Sequence, residues 1–306
     1  MAAQRAATKR TRNPRRGPLR SPARKVAERE AARGGASRGA QRPGADTEEA
    51  ASQKLHKVLA QSGLGSRRTM EEWIREGKIT VNGAVATIGA RVGPTDVVRI
   101  GRKVIRWPST GRVPRVLLYH KPEGEIVSHD DPQGRASVFE QLPALRGAKW
   151  LAVGRLDYNT SGLLIFTTSG ELANRMMHPR FAVEREYAVR VVGELTPAQI
   201  ARLRNGIELS DGIASCLSVE DEGGEGTNHW YRIVLREGRN RVVRRLFEAL
   251  GITVSRLMRV RFGVVALPPR LKRGQVSALP AAEVKRLLAW LEENAPEEAR
   301  AEAPPA

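Results

Sequence analysis

The sequence predicts an α+β fold in two domains: a small domain of helices and strands, then a larger domain whose mixed or antiparallel sheet is flanked by helices. Two observations support this prediction. Most apolar residues form short runs typical of strands, and only a few segments show the 3.6-residue periodicity of amphipathic helices. At 306 residues, the chain is long enough for two domains with separate cores and an extension.

Residues 1–52 are predicted to form a disordered basic arm. They are rich in Ala, Arg, Gly and Pro, lack apolar periodicity, and contain 13 Lys and Arg residues against 5 Asp and Glu. Two roles are open for this arm. It is either a solubilising tail without a defined contact or a segment that raises the affinity for RNA.

The small domain is predicted over residues 53–112, with two short helices before a set of strands. Ser66 is a suitable N-cap for the second helix, and Gly77 ends it. The pair Asn82-Gly83 is favoured at a type I′ turn between strands. The apolar positions of the two helices are Leu55, Val58, Leu59, Met70, Trp73 and Ile74.

The larger domain is predicted over residues 113–280, after a linker at Pro108–Pro114 that contains Pro, Gly and Ser. Short apolar runs predict its strands. The predicted strands are Val116–Tyr119, Trp150–Val153, Leu163–Phe166, Glu186–Val192 and Trp230–Leu235.

Helices are predicted between some of these strands and at the end of the chain. Thr196 is an N-cap and Pro197 the first residue of one helix. Asn240–Leu250 is a second helix, and Pro280–Glu293 is a third. The last helix belongs to a terminal segment, 281–306, whose acidic and Pro-rich end is expected to fray.

The composition favours a polyanionic partner, because the chain carries 52 Lys and Arg against 33 Asp and Glu, a net charge of +19. No apolar run approaches 18 residues and no signal-peptide pattern is present, so a soluble cytoplasmic protein without membrane contact is expected. Cys216 is the single cysteine. Without a Cys/His cluster at ligand spacing, neither a disulfide nor a metal site is predicted.

Three segments of the small domain resemble the S4 RNA-binding domain: Lys54–Ala60, Ser66–Arg68 and Gly77–Gly83. In that family a two-helix face presents basic residues to RNA phosphates. The resemblance implies RNA contacts at Lys57, Arg67, Arg68, Arg75 and Lys78. Taken singly, each is more often a solvated charge, whereas together on a helical hairpin they form a patch.

The segment Gly154–Phe166 places Asp157 in a tight polar loop between two predicted strands. Gly154 and Gly162 permit unusual backbone angles or close approach. A catalytic carboxylate is commonly presented on such a rigid loop. The alternative is an Asx-turn, in which the aspartate only caps its own loop.

Three features accompany Asp157 in chain order: Lys121-Pro122 after the first strand of the larger domain, Tyr187 in a strand, and Arg244 in a basic helix. In this order, with Gly-Arg-Leu-Asp at the centre, the chain resembles the bacterial pseudouridine synthases that modify RNA of the small or the large ribosomal subunit. The likeness covers about residues 53–280.

Three further stretches favour the group within that family that modifies RNA of the large ribosomal subunit: Glu237–Arg245, Val254–Leu257 and Leu271–Gln275. The resemblance therefore implies a uridine of 23S ribosomal RNA as substrate. A uridine of 16S ribosomal RNA, or another 23S position, remains open.

Pseudouridine formation breaks the bond between uracil N1 and ribose C1′, turns the base, and joins C5 to C1′. No atom is gained, so no cofactor is expected. The resemblance implies that Asp157 is the nucleophile or base, that Arg244 is its counterion, and that Tyr187 stacks on the uracil and is a candidate to remove the C5 proton. A nearby guanidinium keeps a carboxylate ionised. Attack at C1′ and a glycal route both remain open.

Further RNA contacts are expected near Asp157. The target nucleotide must be flipped out of folded RNA, and Arg155 resembles the family arginine that fills the gap left behind, or else it contacts a phosphate. Lys121, Arg239 and Arg241 are also expected to contact RNA.

Two rival functions are weighed against this one. A non-catalytic S4-type ribosome-binding protein would have no reason to keep the three catalytic residue types in family order. A glycoside hydrolase would need a second carboxylate, for which Asp130 and Asp131 are the available candidates. The expected partner is ribosomal RNA, as large-subunit RNA or an assembly intermediate, bound by a monomer.

Overall fold

The structure is a computed structural model that describes residues 52–105 and 113–296. The predictions for the basic arm, for most of the linker and for the acidic end fall mainly on residues 1–51, 106–112 and 297–306, outside the described residues.

Residues 52–105 contain two helices and two small antiparallel sheets. Four strands pair in the order β3-β2-β5-β6, and β1 pairs with β4. The elements are β1 (Gln53–Lys54), α1 (Leu55–Gln61), α2 (Arg67–Arg75), β2 (Ile79–Val81), β3 (Ala84–Val85), β4 (Arg91–Val92), β5 (Val98–Ile100) and β6 (Lys103–Ile105).

The local signals in this part of the sequence correspond to the observed boundaries. The Ser66 hydroxyl accepts a hydrogen bond from the Thr69 amide at 3.0 Å, so Ser66 is the N-cap of α2. Asn82 and Gly83 have φ values of 52° and 89°, as the type I′ turn requires. The predicted helical positions are buried in one core, except that Trp73 is only partly buried.

Residues 113–296 form the larger part of the fold around a nine-stranded sheet. Its strands are β7 (Val116–Lys121), β8 (Leu151–Val153), β9 (Ser161–Thr167), β10 (Arg185–Val192), β13 (Ser218–Glu225), β14 (Asn228–Leu235), β15 (Val254–Phe262), β16 (Val265–Ala266) and β17 (Val276–Ala278), and β11 (Ile207–Leu209) and β12 (Gly212–Ala214) form a separate hairpin. Its helices are α3 (Gly170–Met177), α4 (Pro197–Asn205), α5 (Val242–Glu248) and α6 (Ala281–Glu293), with 3₁₀ turns at Val138–Gln141 and Pro179–Phe181.

The main path of the sheet runs β13-β14-β10-β15-β9-β7-β17, with β8 beside β9 and β16 beside β15. The pairing of β9 with β15 is parallel and the other pairings are antiparallel, so the sheet is mixed. This architecture confirms the predicted α+β class.

Helices pack against the sheet in two apolar clusters. One cluster contains Val243, Leu246 and Phe247 of α5 together with side chains of β10, β14 and β15. The other contains Leu172 of α3 and Leu287 of α6 with side chains of β7 and β9, so the terminal helix shares the core of the larger sheet. Within the described ranges, no helix combines the length and apolar character needed to cross a bilayer.

A glycine allows the parallel contact in the centre of the sheet. Gly162 has φ of +104°, and a Cβ atom at this position would lie 2.3 Å from the backbone oxygen of Arg259. No larger residue fits there without displacing backbone, so Gly162 lets β9 approach β15 beside Arg259.

Candidate active site

Asp157 lies in the loop between β8 and β9, two strands that pair antiparallel. The Thr160 amide donates to the Asp157 carbonyl at 3.0 Å, which closes a β-turn. Among the described residues, the half-buried Asp157 carboxylate makes no hydrogen bond or ion pair. The Asx-turn interpretation is therefore wrong, because backbone and not the aspartate side chain closes this loop.

Lys121, at the end of β7, contacts the backbone of the Asp157 loop. It is fully buried, and its Nζ donates to the carbonyls of Pro122 at 2.8 Å, Thr160 at 2.9 Å and Tyr158 at 3.4 Å. Burial lowers the pKa of Lys121 to about 8, while the negative charges of Glu125 and Asp157 oppose this effect. The predicted RNA contact at Lys121 is not supported, because its ammonium donates to three backbone carbonyls of the protein.

A cavity of about 320 Å³ opens beside the Asp157 loop. Its volume is in the range of small-molecule sites. Asp157, in the loop between β8 and β9, and Tyr187, on β10, both line this cavity. Other lining residues are Thr160, Arg185, Arg259 and Phe262.

Tyr187 reaches the cavity from the middle of the sheet. It lies on β10, opposite Arg259 of β15, and is 7% exposed. The register shifts between Glu186 and Tyr187, an irregularity of the kind that redirects side chains near sites. The structure thus brings together two of the three predicted catalytic residues.

Arg244 of α5 contacts the loop backbone instead of the carboxylate. Its Nη2 donates to the Asn159 carbonyl at 2.7 Å and its Nη1 to the Val254 carbonyl at 3.0 Å. In the described part of the chain, Arg244 and Asp157 form no ion pair, so the predicted direct counterion contact is not present. Burial, and next the charge of Arg241, lower the pKa of Arg244, whereas the charge of Asp157 raises it.

Two buried arginines of the cavity were not predicted as site residues. Arg185 is 7% exposed and Arg259 is 2% exposed. Their guanidinium carbons lie 4.9 Å and 4.8 Å from the centroid of the Phe262 ring. Neither forms an ion pair with a carboxylate among the residues that the structure describes. The sequence did contain a signal for both arginines. Each occupies a buried position of a strand whose other buried positions are apolar.

Arg155 and Arg241 line the cavity and are exposed, so both are accessible to RNA. Arg241 adopts the left-handed conformation, with φ of 49°, at the N-cap of α5. The predicted helix therefore begins two residues later than Asn240.

Arg239 also lines the cavity, but its guanidinium is used within the protein. It bonds to Glu237, to Asp211 at 3.0 Å and to the carbonyls of Gly212 at 3.0 Å and Ile213 at 2.8 Å. These contacts brace the β11-β12 hairpin. The expected RNA contact at Arg239 stays a prediction, although most donors of this guanidinium bind groups of the protein.

The basic residues predicted on the S4-like helices are mostly accessible. Lys57 is half-buried, and Arg67, Arg68, Arg75 and Lys78 are exposed. The Lys78 ammonium forms an ion pair with Glu76 at 2.6 Å.

Potential metal ligands gather in one place within the described ranges. Donor atoms of Glu194, Asp221 and His229 lie within 4.8 Å of one another. The His229 Nε2 already lies 2.6 Å from the Asp221 carboxylate, and none of the three lines the cavity.

Comparisons with known proteins agree with this architecture. A family model described as RNA pseudouridylate synthase matches residues 115–249, and one described as S4 domain matches residues 53–98. The chain is 53% identical over 234 residues to ribosomal large subunit pseudouridine synthase B of Pseudomonas aeruginosa, covering 76% of this chain and 61% of that relative. It is 51% identical over 244 residues to the protein of the same name in Salmonella typhimurium, covering 79% and 84%.

A crystal structure of a pseudouridylate synthase shares the fold, with a TM-score of 0.54 and 24% identity over 76% of this chain and 99% of that one. The matches define the class as an RNA pseudouridylate synthase with an S4 domain. The chain belongs to the pseudouridine synthase family, and the relatives it matches are named as synthases of the large ribosomal subunit. This confirms the family and enzyme class predicted from the motifs.

Proposed function

We propose that this protein isomerises a uridine of 23S ribosomal RNA to pseudouridine. Asp157 acts as the nucleophile or base at the ribose, and Tyr187 stacks on the uracil. The observation that carries the proposal is their position on one cavity, with an Asp157 carboxylate that no described residue binds. The names of the relatives, large-subunit synthases, favour 23S over 16S ribosomal RNA.

Lys121 and Arg244 hold the Asp157 loop in place in this proposal, and Arg244 is the counterion of Asp157 without a direct ion pair. Both bind backbone carbonyls of the loop, and the charge of Asp157 acts on the pKa of each. A rigid loop also fixes the distance between the carboxylate and the reacting carbon.

The remaining parts bind the RNA. We propose that an S4 domain over residues 53–112 and the basic arm 1–52 hold the substrate while residues 113–280 perform the reaction. Arg155 and Arg241 contact the RNA at the cavity, with Arg155 in the gap left by the flipped nucleotide or on a phosphate. The protein acts as a cytoplasmic monomer on large-subunit RNA or on an assembly intermediate.

The test compares the wild type with Asp157→Asn and Asp130→Asn on purified 16S and 23S ribosomal RNA, followed by chemical mapping of pseudouridine. The wild type should modify one position, and Asp157→Asn should modify none, because an amide is neither a nucleophile nor a base. Asp130→Asn is the control for a carboxylate outside the cavity, and it should keep the activity.

Each failure has a separate meaning. RNA binding without modification by the wild type would indicate a non-catalytic S4-type protein. Modification of 16S RNA alone would correct the substrate. Full activity of Asp157→Asn would disprove the catalytic assignment.

A further inference from the structure

Arg259 has a donor that the protein does not use. Its Nε donates to the Leu163 carbonyl at 2.9 Å, whereas Nη2 is shielded from solvent and has no hydrogen-bond partner among the described residues. A buried charged group without its hydrogen bonds costs free energy. Such a group at a cavity is therefore suited to a ligand that supplies the missing acceptor.

Arg185 shows how a purely structural arginine is satisfied in the same cavity. Its Nη1 donates to the Val183 carbonyl at 3.0 Å and to the Arg236 carbonyl at 3.1 Å. Its Nη2 donates to the Met177 carbonyl at 3.4 Å. Both terminal nitrogens of Arg185 thus have acceptors in the protein, which is the difference from Arg259.

Arg259 is also held rigidly. Its backbone pairs with Tyr187 on one side and with Gly162 on the other, and its guanidinium lies over Phe262. A donor that is fixed before the substrate binds needs no reorganisation during the reaction, which is the condition for strong electrostatic catalysis.

We propose that Arg259 is a further catalytic residue, which donates a hydrogen bond to the uracil carbonyl oxygen next to the glycosidic bond and stabilises the negative charge that develops there. This inference rests on the proposed function, because it needs the uracil in the cavity lined by Asp157 and Tyr187. It adds a role that neither residue fulfils.

The charge arises in the first bond change. When the N1–C1′ bond breaks, its electron pair stays with the uracil and is delocalised onto O2 and O4. On one route the carboxylate of Asp157 bonds to C1′, and this bond breaks when C5 attacks C1′. On the other route Asp157 removes a proton from C2′ to leave a C1′–C2′ double bond, and a proton returns to C2′ when C5 bonds to C1′. On both routes the base leaves as an anion, its electron pair forms the C5–C1′ bond, and the proton lost from C5 is balanced by one gained at N1.

One donor serves the reaction before and after the base turns. In uridine the carbonyl beside the glycosidic bond is C2=O2, and in pseudouridine it is C4=O4. Rotation about the line from C6 to N3 places C5 where N1 was and O4 where O2 was. A fixed Arg259 therefore meets an equivalent oxygen in the substrate and in the product.

The test measures single-turnover rates of Arg259→Lys, with the enzyme in saturating excess over RNA that carries either uridine or 5-fluorouridine at the target position. We expect about a 100-fold loss on uridine, typical of one lost donor to a developing oxyanion. The loss on 5-fluorouridine should be clearly smaller, because fluorine itself stabilises the uracil anion. Consumption of the target nucleoside is followed after nuclease digestion.

Arg185→Lys is the matched control, since it also shortens a buried arginine of this cavity. It should change the rates on both RNAs by the same factor. If Arg259→Lys does not fold, Arg259→Gln gives the same comparison without burying a charge.

Equal losses on the two RNAs, or a loss only in RNA affinity, would overturn the proposal while leaving the proposed function intact. A wild type that modifies no uridine would refute the proposed function and this inference with it. A larger loss on uridine than on 5-fluorouridine, seen with Arg259 and not with Arg185, supports it.

Discussion

Lys121 illustrates how a single residue controls the site without facing the substrate. Its ammonium is buried under the Asp157 loop and binds two carbonyls of that loop, those of Tyr158 and Thr160. A side chain in this position sets where the carboxylate lies. It is a positioning residue, because it acts through the loop.

We expect Lys121→Met to lower the single-turnover rate by at least about tenfold, because small displacements of a reacting group are costly. RNA affinity should not change, since the side chain has no exposed surface. Lys149→Met removes an exposed lysine and serves as the control, with wild-type rate expected. A fall in affinity without a fall in rate would contradict the positioning role.

Lys121 also predicts how stability depends on pH. Its pKa is lowered from 10.5 to about 8 in the folded state. Between these values the unfolded chain holds a proton that the folded chain has lost, so this group makes stability rise with pH. The difference in unfolding free energy between wild type and Lys121→Met, from urea titrations, should therefore increase from about pH 8 to about pH 10. A constant or falling difference would disprove the shift.

At the scale of elements, the site depends on the parallel contact between β9 and β15. This contact places Arg259 beside the start of β9, directly after the Asp157 loop. The only side chain that fits at position 162 is a hydrogen atom, because Arg259 backbone atoms lie 2.3 Å and 2.7 Å from an added Cβ.

Gly162→Ala should therefore lower the unfolding free energy by about 3 kcal/mol or more, through both overpacking and an unfavourable φ. Gly193→Ala is the control, because Gly193 also has positive φ, +87°, but an added Cβ there meets no atom within 4 Å. It should cost only about 1 kcal/mol. If urea titrations gave equal losses of unfolding free energy for the two variants, β9 and β15 would be able to move apart at little cost.

The elements that the sequence predicted have clear local signals, such as the Ser66 cap, the Asn82-Gly83 turn and the apolar strands. The fold class followed from these. The family resemblance supplied five residues that line the cavity: Arg155, Asp157, Tyr187, Arg239 and Arg241. Strands β13 and β15 gave no such signal. Six of the eight residues of β13 are exposed, and irregular pairing with β10 breaks the alternation of β15.

The site was harder to predict because backbone contacts decide it. Arg244 was expected to bind a carboxylate and binds carbonyls, and Lys121 was expected on the surface and is buried. The unused donor of Arg259 depends on which acceptors the folded backbone offers. Residue types and spacing do not contain that information.

The whole chain has a net charge of +19, of which residues 1–52, with 13 Lys and Arg against 5 Asp and Glu, contribute +8. We expect that removing residues 1–50 weakens RNA binding and makes it less dependent on salt, because each phosphate contact contributes about 0.7–0.9 to the slope of log affinity against log salt. Filter binding at several salt concentrations measures this slope. An unchanged slope would make the arm a solubilising tail.

The two-helix face of residues 53–105 makes a prediction that can be separated from the arm. Arg67 and Arg68 are exposed at the start of α2, and Arg102 and Lys103 are exposed at the turn between β5 and β6. If the helical face binds phosphates, Arg67→Gln with Arg68→Gln in the full chain should lower the salt slope by about 1.4–1.8. Arg102→Gln with Lys103→Gln removes the same charge from the strand side and should leave the slope almost unchanged. Equal effects of the two double variants would mean that net charge, and not the two-helix face, determines how the RNA is held.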